Sequence, residues 1–231
     1  MDIYFLELSD HLESPVEPYL TYFTDERREA ILRYRFPSDR NRTVWAELLA
    51  RWLIGRETGQ TAEDVSIMRD ERGKPYCGEG LHFSLSHSGP WVACSLGTEP
   101  NGVDVEMDRR IRLDIARHFF LPEEYETLKA LSLQGTKAPQ GLSPSGWQRA
   151  FLCYWTLKES CLKYQGTGLS GDMRTVDCAA LLRGEGPLRG RNFDLPGGAV
   201  AGVVSTEALP ACFALLRLRA EGQLFSFTPL K

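Results

Sequence analysis

The chain has 231 residues, enough for one large domain or two small ones. Hydrophobic residues make up 42% of it and charged residues 25%, a balance that is typical of globular proteins and excludes a disordered or fibrous chain. The 27 Lys and Arg residues are outnumbered by 31 Asp and Glu residues, so the formal net charge is −4. A protein that coats nucleic acid needs an excess of cations, and that function class is therefore disfavoured.

No segment has the roughly 20 consecutive apolar residues that a transmembrane helix needs. The apolar run at the amino terminus is short and has no basic flank, which argues against a signal peptide. The six cysteines are scattered, with no C-x-x-C pair and no histidine at zinc-ligand spacing. We expect them to be small buried side chains in a reducing compartment, and these features together predict a cytoplasmic protein.

The first half of the chain begins with helical patterns. Thr24 is a candidate N-cap for one helix, and Pro37 starts a second helix that ends near Gly55. Apolar residues recur in the second helix at three-to-four spacing, which predicts a buried stripe. Short apolar runs separated by turn residues then predict an antiparallel meander, at 81–86, 91–96 and 102–106.

The second half repeats this alternation. Helices are predicted at 113–120, 122–131 and 147–165, with a long polar loop at 132–146. Further alternating runs predict a second meander, at 199–205, 211–219 and 223–228. The order of helices, meander, helices, meander predicts an α+β protein of two halves, 1–103 and 104–231, with the seam near residues 98–108.

Two carboxylates lie two residues apart in the segment G-V-D-V-E at 102–106. In a strand, Asp104 and Glu106 project from the same face, where their charges repel unless a cation or a proton lies between them. Hard oxygen ligands at this spacing suit Mg²⁺. A solvent-facing edge strand with two outward charges fits the same pattern, so both interpretations stay open.

The predicted helix at 147–165 carries W-T-L-K-E-S-C-L-K at 155–163. Glu159 and Lys163 are one helical turn apart, which fits an ordinary i,i+4 salt bridge. The same pair could supply a third carboxylate for a metal and a cation for a phosphate. The sequence of this segment alone favours the salt bridge.

Two turns carry polar groups suited to phosphate. Gly73-Lys74-Pro75 holds a lysine on a stiff turn, a good place for a fixed cation that faces an anion. The segment F-S-L-S-H-S-G at 83–89 offers hydroxyl groups, backbone N–H groups and an imidazole. A histidine in a turn is often merely exposed, and the spacing of a P-loop is absent.

These motifs occur in a fixed order, which is more specific than any of them alone. They are G-K-P at 73–75, F-S-L-S-H-S-G at 83–89, G-V-D-V-E at 102–106, and the 155–163 segment followed by G-T-G at 166–168. In these motifs, in residues 1–4 and in Arg42-Thr43, the chain closely resembles the 4′-phosphopantetheinyl transferases of the larger, surfactin-synthetase-activating type. The resemblance covers residues 24–170. It implies two similar α+β halves related by a pseudo-two-fold axis, with coenzyme A in the cleft between them.

Members of this family transfer the 4′-phosphopantetheine arm of coenzyme A to a serine of an acyl or peptidyl carrier protein and release adenosine 3′,5′-bisphosphate. The resemblance implies that Mg²⁺, or Mn²⁺ in its place, is held by Asp104, Glu106 and Glu159. It implies Glu159 as the base that accepts the serine proton, with Glu106 as the rival. Lys163 is implied as a contact of the transferring phosphate.

Coenzyme A also carries a phosphate on its ribose, so its binding needs several cations. The family pattern assigns the coenzyme A contacts to Arg27, Arg42, Thr43, Arg72, Gly73, Lys74, Pro75, Ser86, His87, Lys158 and Lys163. A surface role for Lys158 is an open alternative. Two positions depart from the family: Ala30 stands where a second basic residue is common, and Arg72 where an aromatic residue lies beside the adenine. The guanidinium plane of Arg72 can still stack on a base.

Carrier proteins are typically acidic, so a basic and partly apolar surface of the half 104–231 is expected to bind them. The candidate is the segment after the metal strand together with the loop 132–146, and its side chains are Arg109, Arg110, Arg112, Arg117 and Phe119 or Phe120. A solvated helix face would show the same residues.

Two other functions fit parts of the pattern. A different Mg²⁺-dependent transferase acting on a nucleotide diphosphate would need the same carboxylates but another acceptor. A non-catalytic carrier-binding paralogue is disfavoured because Asp104, Glu106, Glu159 and Lys163 are all present. The resemblance implies a monomer, and no nucleic-acid or membrane partner is expected. Whether the carrier serves fatty acid, polyketide or nonribosomal peptide synthesis stays open.

Overall fold

The computed structural model describes residues 1–78, 80–107, 111–133, 146–168 and 171–230. The chain divides into two compact units, one formed by Met1–Thr98 with Pro210–Lys231 and the other by Glu99–Leu209. The division after residue 98 lies at the predicted seam. The carboxyl-terminal segment joins the first unit, however, whereas the predicted half 104–231 assigned it to the second.

The strands and helices follow one another in mixed order. The strands are β1 (Asp2–Glu7), β2 (Met68–Arg69), β3 (Pro75–Tyr76), β4 (His82–Ser88), β5 (Trp91–Gly97), β6 (Asn101–Glu106), β7 (Arg189–Leu195), β8 (Ala199–Ser205), β9 (Ala214–Glu221) and β10 (Leu224–Pro229). The helices are α1 (Asp25–Leu32), α2 (Pro37–Thr58), α3 (Leu113–Phe119), α4 (Pro122–Leu133), α5 (Gly146–Gln165) and α6 (Cys178–Arg183), with short 3₁₀ turns at Glu17–Tyr22, Met173–Thr175 and Pro196–Gly198. The α+β class is confirmed.

The first unit is built on a five-stranded sheet in the order β10-β9-β1-β5-β4. β1 pairs antiparallel with β5 and parallel with β9. The apolar stripe of α2 contributes Trp45, Leu48 and Leu49 to the core of this unit, all of them buried. Beside the sheet, β2 and β3 form a separate two-stranded ribbon.

Local signals set the ends of the first two helices. The Thr24 hydroxyl accepts a hydrogen bond from the backbone N–H of Arg27 (3.3 Å), which confirms the predicted N-cap of α1. Pro37 opens α2, because a residue at this position needs no N–H partner within the helix. α2 ends at Thr58 and is capped by Gly59, whose positive φ of 75° is costly for residues with a side chain.

The second unit contains a three-stranded antiparallel sheet in the order β6-β8-β7. Every residue of the central strand β8 is buried. α3 and α4 pack with α5 around Phe120, Leu128 and Phe151. α5 also packs with α6 around Leu157 and Leu181.

The structure corrects the predicted meanders. β4 and β5 form the predicted hairpin, but β6 pairs with β8 in the other sheet. The second predicted meander is wrong as well, because β8 pairs with β6 and β7, whereas β9 and β10 pair with each other beside β1. Apolar runs show where strands occur, but their pairing depends on contacts distant in sequence. β7 was not predicted, since its sequence R-G-R-N-F-D-L has little apolar alternation.

The six cysteines are free thiols. Four of them are buried, at Cys77, Cys94, Cys161 and Cys178. The prediction of burial is wrong for Cys212, which is exposed, and Cys153 is only partly buried. Of the helices that the structure describes, none combines the length and the apolar character needed to cross a membrane.

Candidate functional site

Two glycines allow α5 to lie directly on the sheet of the second unit. A Cβ atom at Gly102 of β6 would overlap the carbonyl oxygen of Ser160, and one at Gly202 of β8 would lie 2.5 Å from the carbonyl carbon of Thr156. The Ser160 hydroxyl donates a hydrogen bond to the Gly202 carbonyl (2.8 Å). This contact explains the glycine in the G-V-D-V-E motif: its missing side chain lets α5 approach the strand that carries Asp104.

Asp104 forms an ion pair with α5. Asp104 is on β6, and its side chain is 7% exposed. The ammonium of Lys163 lies 2.8 Å from Asp104 Oδ1 and also donates a hydrogen bond to the carbonyl of Val103 (3.0 Å). The sequence pointed to an ion pair between Lys163 and Glu159, but the described contacts place the Lys163 ammonium on Asp104 instead. Lys163 therefore ties the last turns of α5 to the strand.

Glu159 lies in the electrostatic field of the other two predicted metal ligands. Burial is the largest cause that raises its pKa to about 7, and the nearby charge of Asp104 adds to the shift. Lys163 opposes the shift, and Glu106 contributes to it as well. The structure thus brings the four residues of the predicted catalytic centre, Asp104, Glu106, Glu159 and Lys163, into one electrostatic cluster, which we call the carboxylate cluster.

The donor chemistry of the carboxylate cluster fits a hard divalent cation. Carboxylate oxygens are the ligands that Mg²⁺ prefers, and a bound cation would offset the repulsion from Asp104 and Glu106, which adds to the effect of burial on the Glu159 pKa. Over the described ranges, however, no group of three or more His, Cys, Asp or Glu side chains is arranged as a ready metal site. The metal-ligand roles of Asp104, Glu106 and Glu159 therefore stay predictions.

The prediction that Lys158 contacts coenzyme A is corrected by its position. Its side chain is completely buried, and its ammonium forms an ion pair with Glu124 (2.7 Å). It also donates hydrogen bonds to the carbonyls of Met173 (3.0 Å) and Val176 (2.6 Å). Because Lys158 has no exposed surface, it is not placed to contact a bound nucleotide. Its ammonium instead joins buried groups within the second unit.

The remaining predicted coenzyme A residues lie in the first unit. Arg42 on α2 donates a hydrogen bond to the carbonyl of Gly89 (3.0 Å), so it joins the helix to the turn that ends the S-H-S-G segment. Thr43 is buried, and no hydrogen-bond partner for its hydroxyl occurs within the described part of the chain. On β4, Ser86 is buried and His87 is exposed.

The G-K-P turn is fixed by an aspartate that sequence reasoning missed. Asp70 Oδ1 accepts hydrogen bonds from the backbone N–H groups of Arg72 (2.9 Å) and Lys74 (2.8 Å). Gly73 has a φ of 81°, which explains the glycine at this position. Pro75 follows on β3, opposite Arg69 of β2. Burial lowers the pKa of the Lys74 ammonium from its ordinary value, and Asp70 partly opposes that effect.

Arg27 is also held by a residue that the sequence did not single out. Its guanidinium contacts the buried carboxylate of Glu47, with Nη2 at 2.7 Å from Oε2. A second guanidinium, that of Arg69, lies 2.9 Å from the same oxygen. The sequence does carry a signal for this ion pair. Glu47 lies within the apolar stripe of α2, and a charged residue is seldom buried without a partner.

An apolar recess of about 170 Å³ lies next to the carboxylate cluster. It is lined by Glu106, Met107, Ile111, Ile115, Phe151, Leu152 and Trp155. Phe151 and Trp155 stack with their ring planes 12° apart. Trp155 of the W-T-L-K-E motif thus packs on a neighbouring ring and also borders the space beside Glu106.

Comparison with known proteins agrees with the division of the chain. Residues 100–204 match the family described as the 4′-phosphopantetheinyl transferase superfamily. Residues 13–99 match the family described as 4′-phosphopantetheinyl transferase, N-terminal. The two matches meet where the structure divides the chain after residue 98.

Individual relatives carry the same description. The chain is 33% identical to 4′-phosphopantetheinyl transferase Sfp of Bacillus subtilis, over 67% of this chain and 65% of that protein. It is 29% identical to 4′-phosphopantetheinyl transferase psf-1 of Bacillus pumilus, over 87% of this chain and 78% of the relative. It is 30% identical to 4′-phosphopantetheinyl transferase HetI of Nostoc sp., over 70% of this chain and 67% of that protein. The matched region spans just under two thirds of the length of the Bacillus subtilis Sfp protein.

The fold and the carboxylate cluster define an α+β protein with an acidic centre in its second unit. The matches to both parts of the chain then identify the family. The chain belongs to the 4′-phosphopantetheinyl transferase superfamily.

Proposed function

We propose that this protein transfers 4′-phosphopantetheine from coenzyme A to a serine of an acyl or peptidyl carrier protein. The observation that carries the proposal is the carboxylate cluster, in which the acidic residues of the G-V-D-V-E and W-T-L-K-E motifs meet in a chain of this family. In the reaction, the serine Oγ bonds to the phosphorus that bears the pantetheine arm. The bond from that phosphorus to the bridging oxygen breaks, and adenosine 3′,5′-bisphosphate leaves with that oxygen.

The serine proton passes to a carboxylate of the cluster. We assign this role to Glu159, with Glu106 as the second candidate, because both carboxylates neighbour the position that we propose for the pyrophosphate. Asp104, Glu106 and Glu159 would hold the metal, Mg²⁺ or Mn²⁺. A bound metal would neutralise charge on the pyrophosphate oxygens. Lys163, fixed on Asp104 at 2.8 Å, adds a positive charge at the same place.

The nucleotide end of coenzyme A is assigned to the first unit. The residues proposed to contact it there are Arg27, Arg42, Thr43, Arg72, Gly73, Lys74, Pro75, Ser86 and His87. The Asp70 turn supports this assignment, because it fixes the backbone that carries Lys74. The buried Thr43 hydroxyl supports it as well, since a buried donor needs a hydrogen-bond partner.

We also propose that the protein acts as a monomer in the cytoplasm.

For the carrier we propose a basic surface on the second unit. Arg117, Phe120 and Lys129 border a recess of about 530 Å³, and an acidic partner would be attracted to the positive charge of Arg117. The charge of Lys129 is partly neutralised by Glu126 (3.3 Å). Arg112 is paired with Asp114 (2.6 Å), so part of its charge is already neutralised. The other residues of the predicted docking segment, Arg109, Arg110 and 134–145 of the loop, lie outside the described residues.

Charge reversal tests this surface. We expect Arg117→Glu, and the pair Arg110→Glu with Arg112→Glu, to raise the KM for the carrier while the KM for coenzyme A stays the same. Arg183→Glu is the matched control, because Arg183 lies at the end of α6, is exposed and is paired with Glu185. Carrier kinetics that do not change in these variants would exclude the surface.

The transfer itself is tested with a panel of apo carriers from fatty acid, polyketide and nonribosomal peptide systems. Each carrier is incubated with coenzyme A, Mg²⁺ and the protein, and intact-mass spectrometry detects the addition of one phosphopantetheine arm. We expect modification of at least one carrier, and its loss in Glu159→Gln. A protein that binds carriers but modifies none would be a non-catalytic binding paralogue. Transfer of a group from coenzyme A to an acceptor other than a carrier protein would indicate a different transferase.

A further inference from the structure

One buried carboxylate in the first unit holds two arginines from different elements. Glu47 of α2 is 3% exposed. Its Oε2 atom accepts hydrogen bonds from Arg27 Nε of α1 (2.8 Å) and from Arg69 Nη2 of β2 (2.9 Å). Arg27 Nη2 lies 2.7 Å from the same oxygen. A single atom therefore fixes both guanidinium groups.

The charges of this arrangement do not balance. Glu47 contributes one negative charge and the arginines contribute two positive charges, so the group carries a net charge of about +1. One arginine would be enough to neutralise a buried carboxylate, and the second adds repulsion between two guanidinium groups. Neutralising the buried carboxylate therefore accounts for one of the two arginines. An anion that contacts both guanidinium groups would account for the presence of the second.

Both arginines can reach such an anion. Their side chains are 21% exposed for Arg27 and 35% exposed for Arg69. A guanidinium has five N–H donors, and the contacts with Glu47 use only part of them. Because Glu47 fixes the orientation of both groups, they lose little further side-chain entropy when a ligand binds.

Arg69 is also attached to the G-K-P turn. Its Nη1 donates a hydrogen bond to the carbonyl of Gly73 (3.0 Å), the residue before Lys74. The same turn is fixed by Asp70. Glu47, through Arg69, thus sets the position of the arginine pair relative to the turn that carries a third cation.

We propose that Arg69, together with Arg27, binds the 3′-phosphate on the ribose of coenzyme A, and that Glu47 is the positioning residue of the pair. A phosphomonoester carries close to two negative charges near neutral pH, more than either phosphate of the pyrophosphate, and planar guanidinium groups match its oxygens. Arg69 would supply a second cation beside Arg27, in a chain that has Ala30 one turn later on α1. This inference rests on the proposed function.

The experiment compares coenzyme A with 3′-dephospho-coenzyme A as donors in the carrier assay. We expect Arg69→Ala to raise the KM for coenzyme A about tenfold and to leave the KM for the dephosphorylated donor unchanged. Arg69→Lys should give an intermediate rise, because lysine keeps the charge but loses the planar pair of donors. Arg33→Ala is the matched control, since Arg33 follows α1, is exposed, and in the described hydrogen bonds its side chain contacts only Glu29.

Glu47→Gln tests the positioning role. We expect it to raise the KM for coenzyme A several-fold and to reduce the preference for coenzyme A over its dephosphorylated form. A merely structural role would lower the melting temperature and kcat with both donors and leave that preference unchanged.

Two results would overturn the inference: equal KM changes with both donors in Arg69→Ala, or no change with either. Calorimetric titration with adenosine 3′,5′-bisphosphate and with AMP gives an answer that does not depend on transfer. We expect Arg69→Ala to weaken the binding of the bisphosphate only. Wild-type protein that transfers from neither donor would contradict the proposed function instead, and the titration would still decide the role of the arginine pair.

Discussion

The carboxylate of Glu124 and the ammonium of Lys158 form an ion pair of 2.7 Å that is almost completely enclosed in the second unit. Glu124 also accepts hydrogen bonds from the backbone N–H groups of Leu121 (3.0 Å) and Cys178 (3.1 Å). The pair therefore joins the start of α4, the middle of α5 and the start of α6. Because Glu159 is the next residue on α5, the pair also fixes the rotation of the helix that presents it.

A double-mutant cycle tests this ion pair. We expect Lys158→Met and Glu124→Gln each to lower the free energy of unfolding by about 3 kcal/mol, because each leaves a buried charge without its partner. The double variant should lose less than the sum of the two, by about 2 kcal/mol, since no uncompensated charge remains. Urea unfolding followed by circular dichroism measures all four proteins. Additive losses would contradict the coupling.

Gly102 gives a second prediction about the placement of α5. We expect Gly102→Ala to destabilise the protein by about 3 kcal/mol, or to shift α5 and reduce kcat, because the new methyl group would overlap the Ser160 carbonyl. Gly78→Ala is the matched control, since a Cβ at Gly78 meets no atom within 4 Å. Thermal unfolding and carrier modification are measured for both variants. Equal unfolding temperatures and equal carrier modification in the two variants would show that neither stability nor activity depends on the close contact at Gly102.

Features that depend on neighbouring residues could be predicted from the sequence. The Thr24 cap lies within one turn of its partner, and the alternation of a strand places Asp104 and Glu106 together. The position of Lys158 could not be predicted in this way. Adjacent residues point about 100° apart on a helix, and the residue type does not show which side faces the interior. The partner that explains Lys158 is Glu124, on a different helix.

Contacts between distant segments account for the other differences. The parallel pairing of β1 with β9 joins the two ends of the chain, and no local pattern specifies it. The same applies to Glu47 and Arg69, which lie on α2 and β2 and were not singled out from the sequence. A buried glutamate in an apolar helix shows that a cation is needed, but the three-dimensional structure is required to show which cations bind it.

The raised pKa of Glu159 predicts how stability depends on pH in the metal-free protein. The folded-state value of about 7 lies above the ordinary value of 4.5, so the folded protein retains a proton that the unfolded chain loses. The stabilising contribution of Glu159 is therefore complete below about pH 4.5 and is lost as the pH rises through about 7. We expect Glu159→Gln to remove this decrease, measured by urea unfolding in EDTA between pH 4.5 and 8. An unchanged pH profile in the variant would show that another group titrates.

Lys163 gives opposite predictions for metal binding and for catalysis. Its ammonium is the positive partner of Asp104, at 2.8 Å, and a divalent cation bound by Asp104 would be repelled by it. We expect Lys163→Met to bind Mn²⁺ several-fold more tightly in the absence of coenzyme A, measured by electron paramagnetic resonance. In the carrier assay, kcat should fall about a hundredfold, because the proposed transferring phosphate loses a fixed positive charge. Arg183→Met is the control for loss of a charge elsewhere in the second unit. Weaker Mn²⁺ binding in Lys163→Met would mean that Lys163 supports the metal site by keeping Asp104 in place, and the repulsion argument would then be wrong.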